Sequence, residues 1–232
     1  MKIAELIKED PRRDMIISFR TIRKSVGWLG IALPIVVYSG TSVFSNCTTL
    51  KPSISDYYYT ITGSVLVGVL CAVSLFLFTY KGPAPIDGIL SGLAGFFALG
   101  IAFFPCNVSG GHYDCNIISR IADDLRNNIH YVSAGGFFAV LALMSIWLFR
   151  KTHPGKKPVG KKRTRNHIYV LCGIIMIIAM LLILSLKVFH LGEKYYPLRP
   201  TFWLELIVLW AFGISWLVKG ELILHDKRSP HL

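Results

Sequence analysis

His130, Glu205 and the run Ser53-Ile54-Ser55-Asp56-Tyr57-Tyr58-Tyr59 are the parts of this chain best placed to do chemistry, because each stands at the edge of a long apolar run. An ionisable group that enters a membrane is costly, so it normally faces a partner or a cavity and marks a functional position. Three kinds of chemistry suit these residue types. In hydrolysis or acyl transfer, His130 acts as general base toward Ser55 or a water, with Asp56 or Glu205 orienting the ring. In ligand recognition, Ser55, Asp56, Tyr58, His130, Ser133 and Glu205 line a pocket for a lipid headgroup or small amphiphile. In a structural role, His130 and Glu205 pair across two helices while Asp56 caps the second apolar run. A metal version would draw on His130, Asp56 and Glu205 with His112 or His190. Only one histidine of the cluster lies near the membrane, so no metal site is expected. No H-E-x-x-H, G-x-S-x-G or P-loop pattern occurs, and no motif names a cofactor.

The elements that must position these groups are six apolar runs, 25–44, 61–80, 89–105, 131–149, 168–186 and 202–218. A hydrocarbon core about 30 Å thick needs about 20 helical residues. The runs therefore predict an all-α, polytopic bundle of six transmembrane helices over 25–220. Residues 1–24 form a basic, amphipathic cytoplasmic segment and 221–232 a cytoplasmic tail. With both termini cytoplasmic, nineteen of the 25 Lys and Arg fall inside, whereas Asp and Glu divide seven inside to six outside. The inner side then carries the whole formal charge of +12, which is the positive-inside pattern. The first run starts some 24 residues in and lacks a small-residue cleavage site, so it reads as a span and not as a signal peptide.

A basic chain of this kind does not imply nucleic acid. The run Lys156, Lys157, Lys161, Lys162, Arg163, Arg165 follows a span and is interleaved with Pro and Gly. It reads as a topology signal on a flexible inner loop, 150–167, able to dock on anionic inner-leaflet lipids. On the outer side, Cys106 and Cys115 flank a short loop and are expected to form a local disulfide, with Cys47–Cys106 as the alternative. Cys71 and Cys172 read as packing residues. Asn46-Cys47-Thr48 and Asn107-Val108-Ser109 match the glycosylation pattern. Residues 117–130 predict a helical extension of the fourth span, which sets Asp123, Arg126, Asn127 and His130 on one face. Trp28, Trp147, Trp203 and Trp216 read as interfacial anchors, and Tyr57 to Tyr59 as an aromatic belt with at least one ring turned inward. Small residues, among them Gly27, Gly30, Gly95, Gly100 and Gly136, mark faces where helices approach closely.

The segment Pro52-Ser53-Ile54-Ser55-Asp56 ahead of the second span resembles the P-x-I-S-D signature of the damage-regulated autophagy modulator family. That family and its relatives in GPI-anchor lipid remodelling are six-span membrane proteins. His130 before the small and aromatic Ser133–Phe138 stretch, and Glu205 in the last span, are similar to the family's features as well. The resemblance implies a six-helix bundle and a role in lipid organisation, lipid remodelling or scaffolding of a partner. It also implies that Ser55, Asp56, His130 and Glu205 are shared polar positions.

The leading expectation is an integral protein of a plasma or bacterial inner membrane that binds a lipid or small amphiphile in the outer half of its bundle. It would sense or present that ligand, or scaffold a partner protein or a second copy. An intramembrane lipid hydrolase or acyl transferase is the alternative. An oligomeric pore is a third reading, weakened by the lack of a charged ring or filter in the spans.

Overall fold

The structure, a computed structural model, describes residues 11–82, 84–108, 115–117, 123–151, 160–191 and 195–224. Six long helices make up the described chain, and no strand occurs among the described residues. They are α1 (Pro11–Ser45), α2 (Gly63–Thr79), α3 (Pro85–Phe103), α4 (Asp124–Leu143), α5 (Lys161–Val188) and α6 (Pro200–Lys219). A π-helical turn, Met144–Leu148, continues α4. Five of the six, α2 being the exception, are long and apolar enough to cross a membrane. The 17 residues of α2 make it the short member.

Local chemistry sets the boundaries. Pro85 and Pro200 each open a helix, where a proline's missing N–H costs nothing and its fixed φ is already helical. Asn46, at φ 50°, ends α1 in the left-handed region that asparagine tolerates. Asp123 caps α4 by accepting from the Arg126 N–H at 2.8 Å. The outward extension of α4 is therefore shorter than the sequence predicts: the helix begins at Asp124, and 118–122 lie outside the described residues.

Each helix packs on its neighbours in sequence and α6 returns to α1, so the six close into a ring. Outward faces are apolar, with Phe96 65% and Leu75 64% exposed, the reverse of a water-soluble surface. All of this fits a membrane-embedded protein. Toward one end of the ring the core is aromatic. Trp216 is fully buried, with the rings of Tyr80, Phe149 and Phe212 at 5.3, 5.4 and 6.2 Å. Lys151 reaches the buried Asp87 at 3.1 Å on the same side.

Several expectations change here. Trp216 is a core residue, whereas Trp28, Trp147 and Trp203 are exposed as anchors would be. Lys161, Lys162, Arg163 and Arg165 lie in the first turns of α5 and not on a flexible loop, because Gly160, at φ 56°, turns the chain into the helix. Lys156 and Lys157 lie outside the described residues, as do residues 1–10, His112 and Ser109 of the second glycosylation pattern.

Small residues do mark close crossings, most tightly between α1 and α6. A Cβ on Gly213 would lie 2.7 Å from the Gly27 carbonyl oxygen, and one on Gly27 would lie 2.8 Å from the Gly213 carbonyl oxygen. Backbone stands against backbone, so no side chain can give way. Gly213→Ala should cost about 1–3 kcal/mol through overpacking, read as a lower melting temperature in detergent. Gly68→Ala meets nothing within 4 Å and should leave it unchanged. Equal melting temperatures for the two variants would contradict the crossing.

Candidate functional site

The loop between α1 and α2 folds back across the end of the ring instead of standing away from it. Thr41 on α1 bonds the Thr60 and Thr62 hydroxyls at 3.1 and 2.8 Å, and Thr62 donates to the Val37 carbonyl at 3.1 Å. Those bonds fix where α2 begins. Ahead of it, Ser55–Tyr59 forms a 3-10 turn. Gly63 is required where the turn meets α2, because a Cβ there would collide with the Tyr58 carbonyl oxygen.

Glu205 anchors this turn from the second turn of α6. Ser53 Oγ lies 2.9 Å from each carboxylate oxygen, and the Ile54 N–H donates to Oε2 at 2.5 Å. Ser53 Oγ in turn accepts from the Ser55 N–H at 3.0 Å, so one carboxylate organises three successive residues. A buried donor left without its acceptor costs about 1–3 kcal/mol, so each of these contacts resists being opened.

His130 grips the same turn from α4. Its Nδ1 lies 2.8 Å from the Phe104 carbonyl oxygen at the end of α3, and its Nε2 lies 3.2 Å from Ser55 Oγ. A carbonyl can only accept, so Nδ1 carries the proton and Nε2 presents its lone pair to the Ser55 hydroxyl. The orienting group is a backbone carbonyl, where the sequence suggests Asp56 or Glu205. Nor do His130 and Glu205 pair with one another. Each holds a different atom of the Ser53–Ser55 segment.

A cavity of about 790 Å³ opens beneath the turn. Ser53, Ser55, Tyr58, His130 and Glu205 line its polar end, and Leu66, Leu70, Phe138, Met180, Leu181 and Leu184 contribute its apolar wall. Its size falls in the range of small-molecule sites, about 300–1,000 Å³. Of the residues predicted as ligand contacts, Ser55, Tyr58, His130 and Glu205 come together on this cavity. Ser133 is buried against Gly100 of α3, where its Oγ fills the space a Cβ would need, and it is not a lining residue. Asp56 is 1% exposed, buried in the turn and off the cavity wall. Tyr57 and Tyr59 are buried in protein and form no belt; burial pushes the Tyr57 phenol up to about 12.

Lys187 and Arg199 also line the cavity, and neither stands out in the sequence. Lys187 Nζ sits 2.9 Å from the centre of the Tyr131 ring, a cation–π contact. Their positions at the end of α5 and just before α6 were the available signal, since both fall at the same end of the ring as His130.

The disulfide is a correction. Cys47 pairs with Cys115, and Cys106 is a free, buried thiol on the cavity wall. The Tyr59 hydroxyl donates to the Cys106 carbonyl at 2.6 Å and holds that residue inward, away from Cys115. The Cys115–Ile117 segment instead lies on the first loop. The Ile117 N–H donates to the Tyr59 carbonyl at 2.9 Å and Lys51 Nζ donates to Asn116 Oδ1 at 2.7 Å. Burial raises the Cys106 thiol well above its ordinary pKa, so it is no nucleophile.

No family model, curated protein or solved structure matches the chain.

Two outcomes check this geometry. Glu205→Ala strands the Ser53 hydroxyl and the Ile54 N–H, and should lower stability by about 1–3 kcal/mol in a detergent melt; an unchanged melting temperature would contradict the clamp. Non-reducing peptide mapping should return a Cys47–Cys115 peptide, with Cys106 resisting alkylation until the protein is unfolded. A Cys106–Cys115 peptide would overturn the pairing.

Proposed function

We propose that this protein binds a lipid or small amphiphile in the outer half of a six-span bundle. The observation that carries the reading is one continuous cavity that joins a polar end at Ser55, His130 and Glu205 to an apolar wall on α2, α4 and α5. An amphiphile has that same division along its length. In this reading α2 is the sixth span, both termini are cytoplasmic, and the charge asymmetry of the loops sets the orientation. The short α2 is near the lower limit for a span, and the buried turn before it completes the crossing on the outer side.

The polar end decides selectivity. A lipid that leaves the bilayer exchanges one apolar surrounding for another, so its chains gain little from the cavity wall. Lys187 and Arg199 favour a headgroup that bears phosphate or carboxylate. The likeness of Pro52–Asp56 to the P-x-I-S-D signature supports the same reading: a role in lipid organisation, sensing or scaffolding, at a plasma or bacterial inner membrane. Anionic inner-leaflet lipids at the basic stretch 150–167, whose later residues form the first turns of α5, and a protein partner or second copy, are further contacts in keeping with it.

Native mass spectrometry of the protein released from mixed-lipid nanodiscs tests the reading. Wild type should retain one anionic lipid class in saturable fashion. Gly135→Phe should lose it: Gly135 lines the cavity, and a Cβ there meets nothing within 4 Å, so a side chain starts there without a clash and its ring takes space the lipid needs. Lys187→Glu should shift retention away from anionic headgroups. The same lipid profile in all three proteins would sink the proposal.

A further inference from the structure

We infer that Ser55 and His130 form a nucleophile–base pair that cleaves acyl esters of the amphiphile held in this cavity; the inference rests on the binding reading above. Three observations meet here. First, the Phe104 carbonyl fixes the tautomer, so the Nε2 lone pair faces Ser55 Oγ at 3.2 Å, close to the usual reach of a general base. Second, both residues line the same cavity, Ser55 half-buried and His130 5% exposed. Third, the turn that carries Ser55 is held rigidly from outside the pair, by Glu205 through Ser53 and Ile54.

The chemistry closes without any further reagent than water. Ser55 Oγ attacks the ester carbonyl carbon while its proton passes to His130 Nε2. The tetrahedral intermediate collapses, the C–O bond to the alcohol breaks, and the leaving oxygen takes the proton from Nε2. Water then attacks the acyl-serine and gives a proton to Nε2. That proton returns to Ser55 Oγ as the free acid departs. The imidazolium formed in each half is stabilised by the Nδ1–H bond to the Phe104 carbonyl. Lys187 and Arg199 line the same cavity and are the cationic groups assigned to the developing oxyanion in this scheme. Phe104, Glu205 and Ser53 are positioning groups, and the substrate class is a fatty-acyl ester whose chain lies along the apolar wall.

The test is covalent labelling of the full-length protein in nanodiscs with a long-chain alkyl fluorophosphonate, followed by peptide mapping. Wild type should carry the label on Ser55, more slowly at acidic pH as Nε2 takes up a proton. His130→Asn retains a donor for the Phe104 carbonyl but has no base. It should stay folded, with a melting temperature lowered by no more than one lost hydrogen bond, lower the labelling rate by about 10²–10⁴-fold and flatten its pH profile. Ser55→Ala should abolish the label. An unlabelled Ser55 in wild type, or equal labelling in His130→Asn, would overturn the inference. Lipid retention measured on the same samples reports separately on the cavity, so saturable binding without label discards the pair and leaves the binding reading standing.

Discussion

A carboxylate in the body of a helix bundle must be met by donors, and here they come from the backbone and hydroxyl of a loop. Glu205 draws the Ser53–Ser55 segment down onto α6, and the rest of the site follows from that contact. The 3-10 turn then sets Ser55 opposite His130, Tyr57 and Tyr59 fill the space above, and the Cys115–Ile117 segment lies over the result. Without the carboxylate, the Ile54 N–H and the donor proton of the Ser53 hydroxyl would lose their acceptor at the edge of hydrocarbon, which costs far more there than in water.

The bundle was largely legible in the residues, because apolar runs of spanning length admit few structures other than helices. Five of the six runs become helices of spanning length, and the 61–80 run becomes the shorter α2. Glu205, His130 and the Ser53–Tyr59 run stood out for a physical reason that the structure bears on directly: they are polar beside apolar segments, and they meet in space. Their pairing was not legible. Any two of them could have bonded by type alone. Only the fold-back of the loop gives Glu205 to Ser53 and His130 to Ser55. Ser133 misled because a serine near a histidine on a helix reads the same whether it faces a cavity or a glycine. Trp216 misled because proximity to a helix end says nothing of which side the ring takes. The cysteine pairing failed for a related reason. Closeness in sequence favoured Cys106, but the Tyr59 hydroxyl holds its backbone inward and leaves Cys115 to Cys47.

The cavity's two ends have different energetic roles under this account. Its apolar wall sets the length and shape of what fits, with little net gain against lipid. Its polar end offers interactions that neither the bilayer core nor the chain region can replace, in surroundings where each is strengthened by the low dielectric. Under the proposed binding role, discrimination among lipids would rest on the few side chains at that polar end.

Photo-crosslinking with a diazirine-bearing fatty-acyl phospholipid tests the central claim most directly, since it reports where a chain rests. The account predicts label concentrated on Leu66, Leu70, Phe138 and Met180 along the cavity wall, displaced by excess unlabelled lipid. Label spread evenly over outward residues such as Leu75, Phe96 and Leu171, with no displacement, would contradict it.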